Sequence, residues 1–198
     1  MCAFFSCIVT KNGDVLFDEM SDRHEDIVDR YKASFDLSDT TTDEENLKFA
    51  RIEIIPPNGD YFVDPKMWVL RVDEMIKPSW FTKTDEKNCR KVFKEFYKNH
   101  VLIGKEIAEL SENRYWIKDC KIKYVGGSAV IKYVRDRAVI QYVGGRAGIQ
   151  YVGDSAVIKV FSKNAKYTLK DDAICISAVG DVPVIKVANK NIKIEVVK

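Results

Sequence analysis

Histidine is almost missing from this chain: 198 residues contain two, His24 and His100. They stand at unrelated places with no cysteine or histidine at ligand spacing, so a zinc centre built from clustered nitrogen and sulfur ligands is not expected. The five cysteines (Cys2, Cys7, Cys89, Cys120 and Cys175) are odd in number and form no CxxC pair. Scattered cysteines of this kind read as reduced thiols in a cytoplasm. No GxxxxGK[ST] or GxSxG is present, and no GxGxxG follows a strand, so phosphate loops and nucleophile elbows are not signalled. Long apolar runs are lacking too. The opening Met1–Thr10 has no basic residue before its apolar stretch, which stops at Lys11-Asn12-Gly13-Asp14. A signal peptide needs the first feature, and a membrane helix needs roughly twenty apolar residues.

What is present is regular. From Ile122 onward the chain falls into rows of nine: IKYVGGSAV, IKYVRDRAV, IQYVGGRAG, IQYVGDSAV, IKVFSKNAK, YTLKDDAIC, ISAVGDVPV, IKVANKNIK and IEVVK. Isoleucine opens every row but one, at 122, 131, 140, 149, 158, 176, 185 and 194, with Tyr167 the exception. The eighth place holds Ala129, Ala138, Ala147, Ala156 and Ala165, then Ile174, Pro183 and Ile192. Places five to seven carry turn formers such as Gly126-Gly127-Ser128 and Gly153-Asp154-Ser155. One row cannot bury its own apolar side, so copies must stack, at about 4.8 Å per layer. Two rows per coil give a two-sided β-solenoid of roughly four coils, about 20 Å long by the same spacing. The alternative is an antiparallel β-meander tail, because three-residue turns also close hairpins.

The second place (Lys123, Lys132, Gln141, Gln150, Lys159, Thr168, Ser177, Lys186, Glu195) is polar throughout and faces water. The third (Tyr124, Tyr133, Tyr142, Tyr151) and the fourth (Val125, Val134, Val143, Val152) compete for the remaining interior place. Strict alternation sends tyrosine inward. A bend ahead of the turn sends valine inward and leaves the tyrosines outside, beside lysine and glutamine. The candidate binding surface is therefore Lys123, Lys132, Arg135, Arg137, Arg146 and Lys159 with Tyr124, Tyr133, Tyr142 and Tyr151.

Ahead of the rows the pattern is that of an α+β head, residues 1–112, with the repeat filling 113–198. Tyr115, Trp116 and Cys120 fit the ninefold frame from Asn113. Ala3–Thr10 and Val15–Met20 flank a hairpin signal. Asp22 with Glu25 suits a capping box, followed by His24, Ile27, Val28 and Tyr31 on one helical face. Phe49–Ile55 and Trp68–Val72 read as strands. A helix opening at Thr84-Asp85-Glu86 carries the apolar stripe Cys89, Val92, Phe93, Phe96 and Tyr97, and its other face is rich in lysine. Asp36–Glu45 reads as an exposed acidic loop. The head is expected to cover one solenoid end. Asn191–Lys198 closes the other weakly and could pair with a second chain.

Charge is divided along the chain. Residues 122–198 hold 13 Lys and Arg against 6 Asp and Glu, a net +7, which leaves −5 for the first 121. The basic tail with its tyrosines admits a nucleic-acid reading. Calcium does not fit: the turn carboxylates are only Asp136, Asp154, Asp171, Asp172 and Asp181, and neighbouring turns carry Arg or Lys, a poor oxygen cage. Cys2 would become an N-terminal nucleophile if Met1 were removed. Its setting instead reads as a buried strand, with Phe4 and Phe5 alternating against Ala3 and Ser6.

The segments CAFFSCIV, SDRHEDIV, FARIEIIPP, WVLRVDE and PSWF, with repeats such as IKYVGGSAV, resemble a group of small uncharacterised bacterial, prophage and phage proteins. These have a head of this size and a nonapeptide tail, and the likeness covers nearly the whole chain. It assigns no residue a role. It implies a mobile-element protein acting inside a bacterium, of the kind that blocks a host defence complex as anti-CRISPR proteins do. The expected function is thus a non-enzymatic protein-binding scaffold without cofactors, its partner a host ribonucleoprotein defence complex, with nucleic-acid binding as the alternative.

Overall fold

The computed structural model describes residues 4–37, 47–74, 77–161, 166–177 and 184–188. Two compact units divide between Asn99 and His100.

In the first unit, β1 (Phe5–Thr10) turns through Lys11–Asp14 into β2 (Val15–Leu16), and α1 (His24–Tyr31) follows. Then come β3 (Phe49–Ile55), β4 (Val69–Val72) and α2 (Lys83–His100). The strands form one sheet in the order β2-β1-β3-β4, with every neighbouring pair antiparallel. Gly13 has φ +89°, the left-handed value that lets the hairpin close. Phe4 and Phe5 at the start of β1 pack on Phe93 and Phe96 of α2, and Phe93 packs in turn on Trp68. The stripe expected on α2 is therefore the core of this unit: Cys89, Phe93 and Phe96 are buried, Val92 and Tyr97 partly so. α2 begins where Asp85 accepts hydrogen bonds from the Thr82 backbone N–H and hydroxyl, at 2.8 and 2.7 Å. The capping box expected at Asp22 is not formed. α1 is capped at Arg23 without a side-chain hydrogen bond, and the nearby Ser21 Oγ instead accepts from the Arg23 N–H at 3.2 Å. The acidic loop falls largely outside the described residues, as do Cys2 and the end segment Asn191–Lys198.

The second unit is a β-solenoid of about four turns. One sheet runs β6 (Glu106–Leu110), β8 (Lys121–Val125), β10 (Val139–Val143), β12 (Val157–Val160), β13 (Ile174–Ser177) and β14 (Val184–Val187). The other runs β5 (Val101–Ile103), β7 (Arg114–Lys118), β9 (Val130–Arg135) and β11 (Gly148–Val152). Neighbours pair in parallel up to β13, which excludes a meander there, and among the described strands of this unit only β13–β14 is antiparallel. Ile122 lies beside Ile140 and Ile140 beside Ile158, while Ile131 lies beside Ile149, so one coil takes 18 residues. Successive corners stay on the hydrogen-bond ladder: the Gly144 N–H donates to Val125 O and the Gly153 N–H to Val134 O, both at 2.9 Å.

The interior is made of places eight, one and four. Ala129, Ala138, Ala147 and Ala156, the isoleucines from Ile122 to Ile158, and Val125, Val134, Val143 and Val152 form one buried cluster shared by both sheets. The tyrosine row is therefore outside, and the expectation from strict alternation is overturned. Two successive outward residues, at places two and three, fit because the strand bends before each corner.

The ninefold frame also slips at both ends. Tyr115, expected at the third place, pairs with Ile131 at the first, and Trp116 pairs with Tyr133; Cys120 keeps its place. Downstream, Val160 pairs with Val143 and Leu169 with Val152, each 17 residues apart, so these two rows lack their third residue. Ala173 then takes the alanine place and Cys175, beside Ile158, the isoleucine place. Ile174 and Ile176, expected in the core, are only half-buried, and Ile185 on β14 is 41% exposed. Parallel pairing begins at Val101, ahead of the start expected at Asn113, because Val101–Leu110 forms strands without the Tyr-Val-Gly-Gly signature.

Candidate binding faces of the solenoid

The ten residues singled out as a surface divide between opposite sides of the solenoid. Lys123 and Tyr124 on β8, Tyr142 on β10 and Lys159 on β12 share one outward sheet face. Lys132, Tyr133 and Arg135 on β9 and Tyr151 on β11 share the other. Arg137 and Arg146 stand in the corners between strands.

On the first face the aromatic rings form a file. Tyr124 and Tyr142 have centroids 5.2 Å apart, and Tyr142 lies on Phe161 at 4.3 Å with ring planes 8° from parallel. Phe161 belongs to this file because of the slipped frame: the nine-residue alignment put Val160 in the tyrosine row and Phe161 in the valine row. Each tyrosine also lies over the glycine two places on. A Cβ on Gly126 would strike the Tyr124 ring, and one on Gly144 would come within 2.6 Å of Tyr142 Cε1. The absent side chain at place five thus makes room for the ring. Lys123, Gln141 and Lys159 run alongside, exposed to water.

The opposite face is more fully paired. Tyr133 and Tyr151 are 5.1 Å apart, and Lys170 Nζ sits 5.5 Å over the Tyr151 ring. Burial, and then the hydroxyl's hydrogen bond to Asp171 Oδ2 at 3.1 Å, raise the Tyr151 pKa above its ordinary value.

Chain comparison gives no lead. No protein-family model, curated protein or solved structure matches this sequence.

One feature of the corners escaped the sequence reading. Asp119, Asp136, Asp154 and Asp171 occupy equivalent corners of successive coils with φ of 52°, 55°, 53° and 54°. Each carboxylate reaches an adjacent coil. Asp154 accepts from the Asp136 N–H at 3.1 Å and from Arg135 Nε at 2.9 Å. Asp171 accepts from the Asp154 N–H, Asp119 from the N–H and Nε of Arg137, and Asp136 faces Lys118 at 3.0 Å. The signal was present as Asp at the sixth place of alternate rows, a residue that tolerates left-handed backbone. Asp119 and Asp171 fall off the strict frame, which hid the column. These partners occupy the carboxylates, and no group of three or more His, Cys, Asp or Glu suited to a metal occurs among the described residues.

Both histidines bond to backbone. His24 Nε2 lies 3.2 Å from Ile52 O, and His100 Nδ1 lies 2.7 Å from Arg114 O. Cys7, Cys89, Cys120 and Cys175 are all buried free thiols. No helix among the described residues is long and apolar enough to cross a membrane.

Proposed function

We propose that this protein is a non-enzymatic binding scaffold that holds a protein partner against the outward face of β8, β10 and β12. The observation that carries this reading is the aromatic file Tyr124–Tyr142–Phe161, its two tyrosines lying over glycine corners and Phe161 stacked on Tyr142, flanked by Lys123, Gln141 and Lys159. A surface already ordered before contact costs little conformational entropy on binding. Tyr142 is 39% and Phe161 41% exposed, and rigid aromatic side chains with wet edges are the usual anchors of protein interfaces.

Ring geometry favours a protein over single-stranded nucleic acid. Bases bind by lying on aromatic faces. Here the rings lie on one another, so edges and hydroxyls are offered instead of faces. Arg135, at the end of β9, and Arg137, in the corner after it, are also engaged by Asp154 and Asp119, which weakens the field a phosphate chain would meet. The likeness to phage and prophage proteins directs the search for the partner to host defence complexes, an inhibitor's target.

The test is affinity capture from bacterial lysate with the native chain and with a Lys123→Glu/Tyr142→Ala/Lys159→Glu variant, each with and without nuclease. A protein retained by the native chain, lost from the variant and indifferent to nuclease supports the proposal. Retention that disappears with nuclease transfers the case to nucleic acid.

A further inference from the structure

We propose that the exposed face of α2 is a second docking site, which takes an acidic protein segment and receives one of its apolar side chains in the cavity beside Lys66. Lys87, Arg90, Lys91, Lys94 and Lys98 recur at spacings of three and four, which puts them on one side of the helix. All five are exposed, while Cys89, Phe93 and Phe96 fill the opposite side. The concentration is notable in a stretch of chain that is acidic on balance: the first 121 residues carry a net −5. Of the acidic residues on α2, Asp85 is bound at the helix start and Glu86 pairs with Lys77 at 3.5 Å. Glu95 lies to one side of the cavity at Lys66, in a neighbouring groove that it lines with Val15, Phe17 and Lys91.

At the edge of this basic face lies a cavity of about 250 Å³ lined by Pro65, Lys66, Arg90, Phe93 and Lys94. Its floor is fixed, because Phe93 packs on Trp68 with ring centroids 5.1 Å apart. Part of its rim is fixed too: Arg90 Nη1 donates to the Trp68 carbonyl at 3.0 Å, which holds the guanidinium beside the opening. Asp64, next in the chain to Pro65, accepts the Lys66 backbone N–H at 2.9 Å. Three cations around a hydrocarbon floor match a ligand with negative charges on either side of an apolar group.

That pattern decides between kinds of partner. An acidic peptide supplies both parts, whereas a phosphate backbone supplies the charge and no hydrocarbon to fill the cavity. The stripe from Lys87 to Lys98 spans about 16 Å of helix, the reach of roughly five residues of extended chain. Acidic-motif recognition by clustered basic side chains is an established mode of peptide binding.

The probe is a fluorescent peptide of Asp and Glu with one central leucine, titrated with the full-length protein. Binding is expected at low salt and should weaken about tenfold or more between about 50 mM and about 0.3 M salt. Leucine→alanine in the peptide should weaken it further at fixed salt. Lys94→Glu/Lys98→Glu in the protein should cost at least about tenfold with an unchanged thermal midpoint; if that variant misfolds, Lys94→Gln/Lys98→Gln replaces it. No binding at low salt overturns the proposal, and so does binding indifferent to these substitutions. An oligonucleotide of equal charge that binds as tightly as the leucine peptide would overturn it in favour of a phosphate site. The solenoid face is untouched by these variants, so this result is independent of the capture experiment.

Discussion

Arg135 and Asp154 meet across adjacent coils at the solenoid corner, Nε to Oδ2 at 2.9 Å, and the same carboxylate oxygen accepts the Asp136 N–H at 3.1 Å. The carboxylate joins a side chain and a backbone group of the preceding corner to its own coil, in a turn whose backbone is left-handed.

Acid should therefore loosen this corner. Its hydrogen bond from Arg135 chiefly holds the Asp154 carboxyl below the usual range. A depressed folded pKa adds stability that is complete above the unfolded value, about 3.9, and is lost as pH falls through the folded one. Thermal midpoints measured from neutral pH down to about pH 3 should fall in the acid limb. Asp154→Asn, which keeps the left-handed backbone but cannot ionise, should lower the neutral-pH midpoint and flatten that limb. An Asn variant with the native pH profile would remove Asp154 from the account.

The buried isoleucine column sets a second expectation. Ile140 is fully buried between Ile122 and Ile158. Ile140→Val should cost about 0.5–1.5 kcal/mol and leave the fold intact. Ile140→Asp places a carboxylate where no partner exists in the layer above or below, and the solenoid should lose its cooperative transition. Chemical denaturation followed by far-UV circular dichroism separates the two outcomes.

The cysteines give a third. Cys7 Sγ is tied to Cys89, and that hydrogen bond together with burial pushes the Cys7 thiol well above its ordinary pKa. Burial likewise raises Cys120 and Cys175. All four sulfurs, Cys89 included, are also buried away from reagent, so all four should resist iodoacetamide in the native protein and react after unfolding. Rapid labelling of any of the four under native conditions would contradict the packing described. Cys2→Ala should leave partner capture unchanged; loss of activity in that variant would revive the nucleophile reading.

The solenoid was legible because its strongest residues each answer one physical demand. Ile140 and Val143 fill a core, Ala138 and Ala147 keep that core thin, and Gly145 at φ +61° turns a corner. The facing of Tyr142 was not legible. Alternation along a flat strand and bending before a corner predict opposite sides, and the bend depends on the hydrogen bonds between coils. The slipped rows were hidden for a related reason. Val160 and Phe161 each fit either of two neighbouring places by hydropathy, and only the pairing of Val160 with Val143 decides between them. In the first unit, Phe49–Ile55 was legible as a strand stopped by Pro56-Pro57, and the apolar side of α2 as a stripe at helical spacing after Thr84-Asp85-Glu86. The cavity at Lys66 joins residues distant in sequence, which no local pattern brings together.

The contact between Tyr142 and Gly144 allows the most direct check on the outward aromatic file. A methyl group at Gly144 would sit 2.6 Å from the ring's Cε1, while the Gly144 backbone is not in the left-handed region. Gly144→Ala should therefore act through the ring and not through backbone strain. Overpacking of this kind costs about 1–3 kcal/mol unless the ring swings away. If it swings away, the stack on Phe161 is broken and near-ultraviolet circular dichroism should change. Tyr142→Ala alone removes the ring, and in that background Gly144→Ala should cost almost nothing. A double-mutant cycle measures the difference, expected at roughly 1 kcal/mol or more. Additive effects would mean that the ring does not rest on the corner, and the preformed face on which the binding proposal depends would lose its support.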